Sequence, residues 1–144
     1  MKSPRIVKLK KVMGFSECFC VDSFGKTRDL ALFWKSSVEL DIIFSNKYAI
    51  VVLVHSDPPE ISWLLFAVHG PPYLVKKRKF WELMKDIINR FSGLWVMIGD
   101  LNSIISSGDK VGGSHRGNRS SRWFQSFVSN VGAIDLGFCG PKFT

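Results

Sequence analysis

The rhythm of apolar and polar positions changes several times along this chain of 144 residues. Over residues 4–13, Ile6, Leu9 and Met13 recur at helical spacing, with Arg5, Lys8, Lys10 and Lys11 among them. That pattern predicts a short helix with a basic solvated face, stopped at Gly14. Residues 15–21 read as a strand and Asp22-Ser23-Phe24-Gly25 as the turn after it. Leu30 to Trp34 is a continuous apolar run of the buried-strand type. Val38, Leu40, Ile42 and Phe44 then alternate with other positions until Ile43 breaks the rhythm, predicting a half-buried strand. Ser45-Asn46-Lys47 turns the chain into an apolar strand over residues 48–54, and a further strand covers residues 63–68. Short connections between these runs predict an antiparallel meander.

After His69-Gly70-Pro71-Pro72 the period lengthens. Phe80, Leu83, Met84, Ile87, Ile88 and Phe91 form a stripe at three- and four-residue spacing, the mark of a helix packed on a sheet. Lys76, Lys77, Arg78 and Lys79 open it, where the helix dipole disfavours cations. Residues 94–102 return to a strand that ends in Gly99-Asp100-Leu101-Asn102. A second amphipathic helix is marked by Trp123, Phe127 and Val131 with Phe124 and Val128, and residues 133–136 predict another short strand. Strands interleaved with a few helices predict an α/β fold with antiparallel or mixed sheets, in one domain.

Chemistry concentrates where the strand over residues 94–102 emerges. If Leu101 continues extended, Asp100 and Asn102 point to the same side. A carboxylate there can accept a proton from water, and an amide can donate to a phosphate oxygen. The competing reading is turn and cap chemistry, which Asp-x-Asn also serves. A calcium loop is excluded, because Ile104 stands where an oxygen ligand is needed. Between the two helices, residues 106–121 are rich in Gly and Ser and carry or adjoin Lys110, His115, Arg116, Arg119 and Arg122. Such a length predicts a functional loop, and its cations suit nucleic acid. No Gly-Lys-Ser/Thr follows its glycines, so it is not a nucleotide-binding Walker loop.

Composition sharpens this reading. Hydrophobic residues make up 46%, which supports a core and argues against wholesale disorder. Lys and Arg outnumber Asp and Glu by 20 to 12, a net charge of +8 that favours polyanionic partners. Cys18, Cys20 and Cys139 lack zinc-site spacing and cannot pair completely, so a reduced, intracellular setting is expected. No apolar run reaches membrane-spanning length, and residues 1–20 lack the apolar core of a secretory signal.

Residues 94–102, Lys110-Val111-Gly112-Gly113 and the closing Gly140-Pro141-Lys142-Phe143-Thr144 resemble the endonuclease/exonuclease/phosphatase superfamily. The closest likeness is to the apurinic-type endonuclease domain of LINE-type non-LTR retrotransposons, particularly those of plant genomes. Leu30-Ala31-Leu32-Phe33-Trp34 and Val68-His69-Gly70-Pro71-Pro72 fit the same order, so the likeness runs from about Leu9 to Thr144. It implies two packed sheets with helices outside, Mg²⁺-dependent phosphodiester hydrolysis, DNA as partner and a nuclear location. It further implies that Asp100 orients or deprotonates the attacking water, that Asn102 holds that carboxylate and the phosphate, and that His69, where relatives carry Tyr, can donate to the phosphate.

Departures from the pattern accompany the likeness. Arg28-Asp29 replaces the Gly-Gly expected before Leu30. The strands with the metal-binding Glu and the closing Ser-Asp-His segment have no match in residues 1–144, so the domain is expected to be incomplete, with exposed sheet edges that favour self-association. Three functions compete: a retroelement endonuclease remnant with little or no activity, a basic nucleic-acid-binding module without catalysis, and an active phosphoesterase with unusual ligands. Effects of catalytic groups that act as a unit are non-additive, which ranks the remnant first and binding second.

Overall fold

Alternation in the middle of the chain sets up one sheet with two different faces. The computed structural model describes residues 4–21, 30–103 and 118–137, and for 118–121 the backbone alone. In order these form helix α1 (Pro4–Val12), strands β1 (Glu17–Val21), β2 (Leu30–Trp34), β3 (Leu40–Asn46), β4 (Ala49–Val54) and β5 (Trp63–His69), helix α2 (Leu74–Asn89), strand β6 (Trp95–Asp100) and helix α3 (Asn118–Val131). The class is mixed α/β. Strands β1 and β2 pair antiparallel as a separate sheet, and β3-β4-β5-β6 form a sheet in that order. Within it β3, β4 and β5 are antiparallel neighbours, whereas β6 lies parallel to β5 after the α2 crossover.

Strand β4 carries the fold. Ala49 and Val51 face α2 and α3 together with Leu64, Phe66 and Val68 of β5. Ile50, Val52 and Val54 face the other way, with Ala67, onto Phe19, Val21, Leu30 and Leu32 of the small sheet. Burial on both faces explains why β4 reads as an unbroken apolar run instead of an alternating one. The expected helical stripe is buried at Phe80, Met84 and Ile88, and Trp81 joins it to seat Phe124 and Phe127 of α3. Its ring centroid lies 4.6 Å from that of Phe124 and 4.8 Å from that of Phe127.

The break at Ile43 is a bulge. Ile42 pairs with Val52 and Phe44 with Val51, so Ile43 is left over between them. The extra residue inverts the alternation: Leu40 and Ile42 pack toward the small sheet, and Phe44 toward the helices.

Two expectations need correction. Residues 133–137 form no strand; Ile134 and Leu136 are each 85% exposed. Gly132, at φ +64°, ends α3 there, and with no neighbouring strand among the described residues the segment has no ladder to join. Helix α3 also begins at Asn118, inside the stretch read as loop, so Arg119 and Arg122 lie on a helix. Helix α1 forms as expected but buries none of its residues. No helix among the described residues is long and apolar enough to cross a membrane.

Phe66 is fully buried at the junction of β5, β6 and the helices, with Trp95 edge-on against it at 6.1 Å between ring centroids. Phe66→Ala should cost about 3–5 kcal/mol of unfolding free energy, measured by urea denaturation. A loss no larger than that of a surface substitution would show that this cluster is not the core.

Candidate functional site

Parallel pairing brings the separated candidates together. Residues Val68 and His69 of β5 lie opposite Gly99 and Asp100 of β6, so the histidine and the carboxylate emerge side by side at the carboxyl ends of adjacent strands. The alternation that turns Trp63, Leu65 and Ala67 toward the small sheet places His69 on that same face. His69 is half-buried and Asp100 exposed, and no hydrogen bond joins their side chains among the described residues.

Gly99 makes this approach possible. Its φ of +124° is a conformation that L side chains rarely adopt, and a Cβ built on it would sit 2.0 Å from the carbonyl oxygen of Val68. The backbone of β6 therefore runs against β5 with no room for any other residue. Gly70 closes the pair from the other strand: its N–H donates to the Asp100 carbonyl at 2.8 Å.

Beyond Asp100 the extended conformation ends, contrary to the geometry in which Asp100 and Asn102 share one side of a strand. Asn102 adopts φ +47°, a left-handed conformation that asparagine tolerates well. Its backbone N–H donates to Asp100 Oδ1 at 2.9 Å, forming an Asx turn. Its side-chain Nδ2 donates to the Gly70 carbonyl at 2.6 Å, tying the turn back to the β5 end. Turn chemistry is thus part of what Asp-x-Asn does here. Asp100 keeps a second carboxylate oxygen, and Asn102 keeps one N–H and its Oδ1.

A fourth residue belongs to this corner, and in the sequence it stands within a basic run. Lys77, in the first turns of α2, is buried, and its Nζ donates to the Asn102 carbonyl. Lys76, Arg78 and Lys79 on either side are exposed. The signal that could have found it is positional: Lys77 lies three residues before Phe80 and seven before Met84, on the helix's buried stripe. A lysine on an apolar stripe needs an acceptor, and the loop after β6 supplies one.

Of the other candidates, Arg122 is exposed on α3, far along the chain from the strand ends, and of Arg119 only the backbone is described. Lys110 and Arg116 lie outside the described residues, as does His115.

The donor set does not suit the Mg²⁺ that the resemblance implies. That ion takes six oxygens in near-octahedral array, commonly with carboxylates among them. At these strand ends the described carboxylate is Asp100, with one oxygen already engaged by the Asn102 amide. No group of three or more His, Cys, Asp or Glu able to hold a metal occurs among the described residues.

No family model matches the chain, and a search of curated proteins found no match either. The corner must therefore be judged on its own geometry.

Two substitutions probe it. Gly99→Ala should open the β5–β6 ladder and cost more than about 1 kcal/mol, with faster amide exchange at Gly70. Lys77→Met keeps the buried stem and removes the donor, so about 1–3 kcal/mol should be lost, with the Asn102 resonances shifted in an amide NMR spectrum. Unchanged Asn102 resonances would show that Lys77 does not hold the turn.

Proposed function

We propose that the chain is a retroelement-derived, DNA endonuclease-like phosphodiesterase domain of the endonuclease/exonuclease/phosphatase type, with feeble hydrolytic activity at most. The observation that carries this reading is the parallel register that sets His69 beside Asp100, with Asn102 fixed against Gly70. A phosphodiester presented there would meet the His69 ring and the remaining Asn102 N–H as donors. The second oxygen of Asp100 would accept a proton from the attacking water. Two sheets sharing a core, with helices on the outer face, agree with the sandwich this reading expects. DNA is the substrate and the nucleus the location it implies. Among the described residues β3 and β6 are the edge strands of their sheet, and such edges would favour self-association.

Weak activity follows from the donor set. Phosphodiester hydrolysis draws most of its acceleration from charge neutralisation, and one carboxylate with one histidine supplies little of it. No step through Mg²⁺ is derived, since the described residues do not fit that ion.

A second reading has its own observation. Exposed cations lie on α1 (Arg5, Lys8, Lys11) and at the start of α2, where Lys76 stands 5.9 Å from the ring of exposed Tyr73. Cations beside an aromatic ring suit phosphate contacts with base stacking, and so a nucleic-acid-binding module without catalysis.

Supercoiled plasmid incubated with the protein in Mg²⁺ or EDTA, beside Asp100→Ala, separates the two. The first reading expects at most slow nicking, insensitive to EDTA and lost in the variant; efficient nicking that needs Mg²⁺ would overturn it. Salt-sensitive gel retardation without nicking, equal in both proteins, would replace it with the second. Absence of both nicking and retardation would overturn the second reading and leave a remnant without chemistry.

A further inference from the structure

At the opposite end of the sheet, the meander assembles a second constellation of side chains. Leu40 pairs with Val54, and Val54 with Trp63, so the next positions outward bring residues 39, 55 and 62 together. The His55 N–H donates to the Glu39 carbonyl at 2.9 Å, which fixes the histidine backbone to β3. Its ring then bridges two side chains. Nε2 lies 2.8 Å from Asp41 Oδ2, and Nδ1 lies 3.2 Å from the hydroxyl of Ser62.

The two contacts select a protonation pattern. A carboxylate beside Nε2 favours the tautomer with its proton on that nitrogen, which leaves the Nδ1 lone pair facing Ser62. The serine hydroxyl can then donate to Nδ1. A hydroxyl, an imidazole and a carboxylate in this order make up an activated nucleophile, recognised by geometry and roles, not by position in the sequence. The Trp63 indole N–H donates to the Asp57 carbonyl at 2.6 Å, bracing the loop that leads into Ser62. Ser62 itself is exposed and open to a reagent.

We propose that Ser62, His55 and Asp41 form an acyl-accepting site for small activated carboxylic esters, separate from the corner at His69 and Asp100. Ser62 Oγ adds to the ester carbonyl carbon while its proton passes to His55 Nδ1. Collapse of the tetrahedral adduct breaks the bond to the leaving oxygen, which departs with that proton. The acyl group remains on Ser62 until water, deprotonated by the same nitrogen, releases it as the carboxylic acid. Ser62 and His55 are the catalytic residues; Asp41 is a positioning residue that sets the tautomer and balances the imidazolium. Its side chain is 73% exposed against 32% for His55, so water screens the pair and turnover is slow.

The test is p-nitrophenyl acetate on the whole chain, with p-nitrophenolate release followed optically and the acetylated residue located by peptide mass spectrometry. Acetylation at Ser62 should exceed that of other serines by about 100-fold, the scale of general-base assistance. His55→Gln should reduce it to the level of those serines. Asp41→Asn should lower it about tenfold with the fold unchanged by circular dichroism, since the wrong tautomer then competes. Ser62→Ala should abolish the adduct at that position. Should His55→Gln fail to fold, Asp41→Asn carries the same test. Acetylation spread evenly over serines and lysines, or acetylation of Ser62 that ignores both variants, would overturn the proposal.

Discussion

Strand β6 can run closely against β5 because at one position it carries no side chain. At Gly99 the carbonyl of Val68 occupies the space a Cβ would take, so the two backbones meet closely at their carboxyl ends. From that contact follow the opposition of His69 and Asp100, the Gly70–Asp100 hydrogen bond and the point where the strand stops. The parallel direction itself depends on a long connection, and the α2 crossover supplies it. Its burial on the sheet brings Lys77 under the turn. One glycine thus sets the geometry of a corner built from β5, β6 and α2.

Much of this was legible in the sequence, for identifiable reasons. Every predicted strand up to residue 100 forms, because short apolar runs bounded by Gly, Pro, Asn and Ser have few alternatives. The disturbance at Ile43 was visible, but its meaning was not, since a change of face shows only when the partner strand is known. The predicted stripe on α2 is buried at Phe80, Met84 and Ile88, and Phe91 lies past the helix end. It lacks Lys77 and Trp81, whose burial depends on the turn at Asn102 and on α3. Asp100 and Asn102 were recognisable as a pair, and a glycine before them allows a turn or a close approach without deciding between the two. The left-handed turn at Asn102 was not recognisable, because Asp-x-Asn is equally compatible with an extended continuation. The error at residues 133–136 has the same origin: apolar residues alternate there, but a strand exists only with a neighbour to pair with.

The two ends of the sheet owe their chemistry to different kinds of pairing. Antiparallel strands place the end of one beside the start of the next, so His55 after β4 and Ser62 before β5 meet across a single loop, with Asp41 reaching in from β3. Parallel strands align like ends, so His69 and Asp100, 31 positions apart, meet only through a helix crossover. The first kind of cluster is local, and the strand register could in principle reveal it. The second depends on the sheet order, which no local pattern contains.

Turn chemistry and site chemistry at Asp100 are not exclusive, and counting hydrogen-bonding capacity shows why. A carboxylate has two oxygens and an amide two N–H groups and one oxygen. The Asx turn uses one carboxylate oxygen, and the tie to Gly70 uses one amide N–H. Asp100 therefore retains one oxygen, and Asn102 one N–H and its Oδ1, for a ligand, held by contacts that already define their positions. Such preorganisation is what a phosphate-binding corner needs, because donors fixed beforehand do not have to reorganise around the developing charge. On the proposed reading the shortage among the described residues is therefore one of charge, because Lys77 is turned inward onto a carbonyl instead of toward His69 and Asp100. For the proposed phosphodiesterase, preorganised donors with few charges among the described residues make feeble hydrolysis the expected limit.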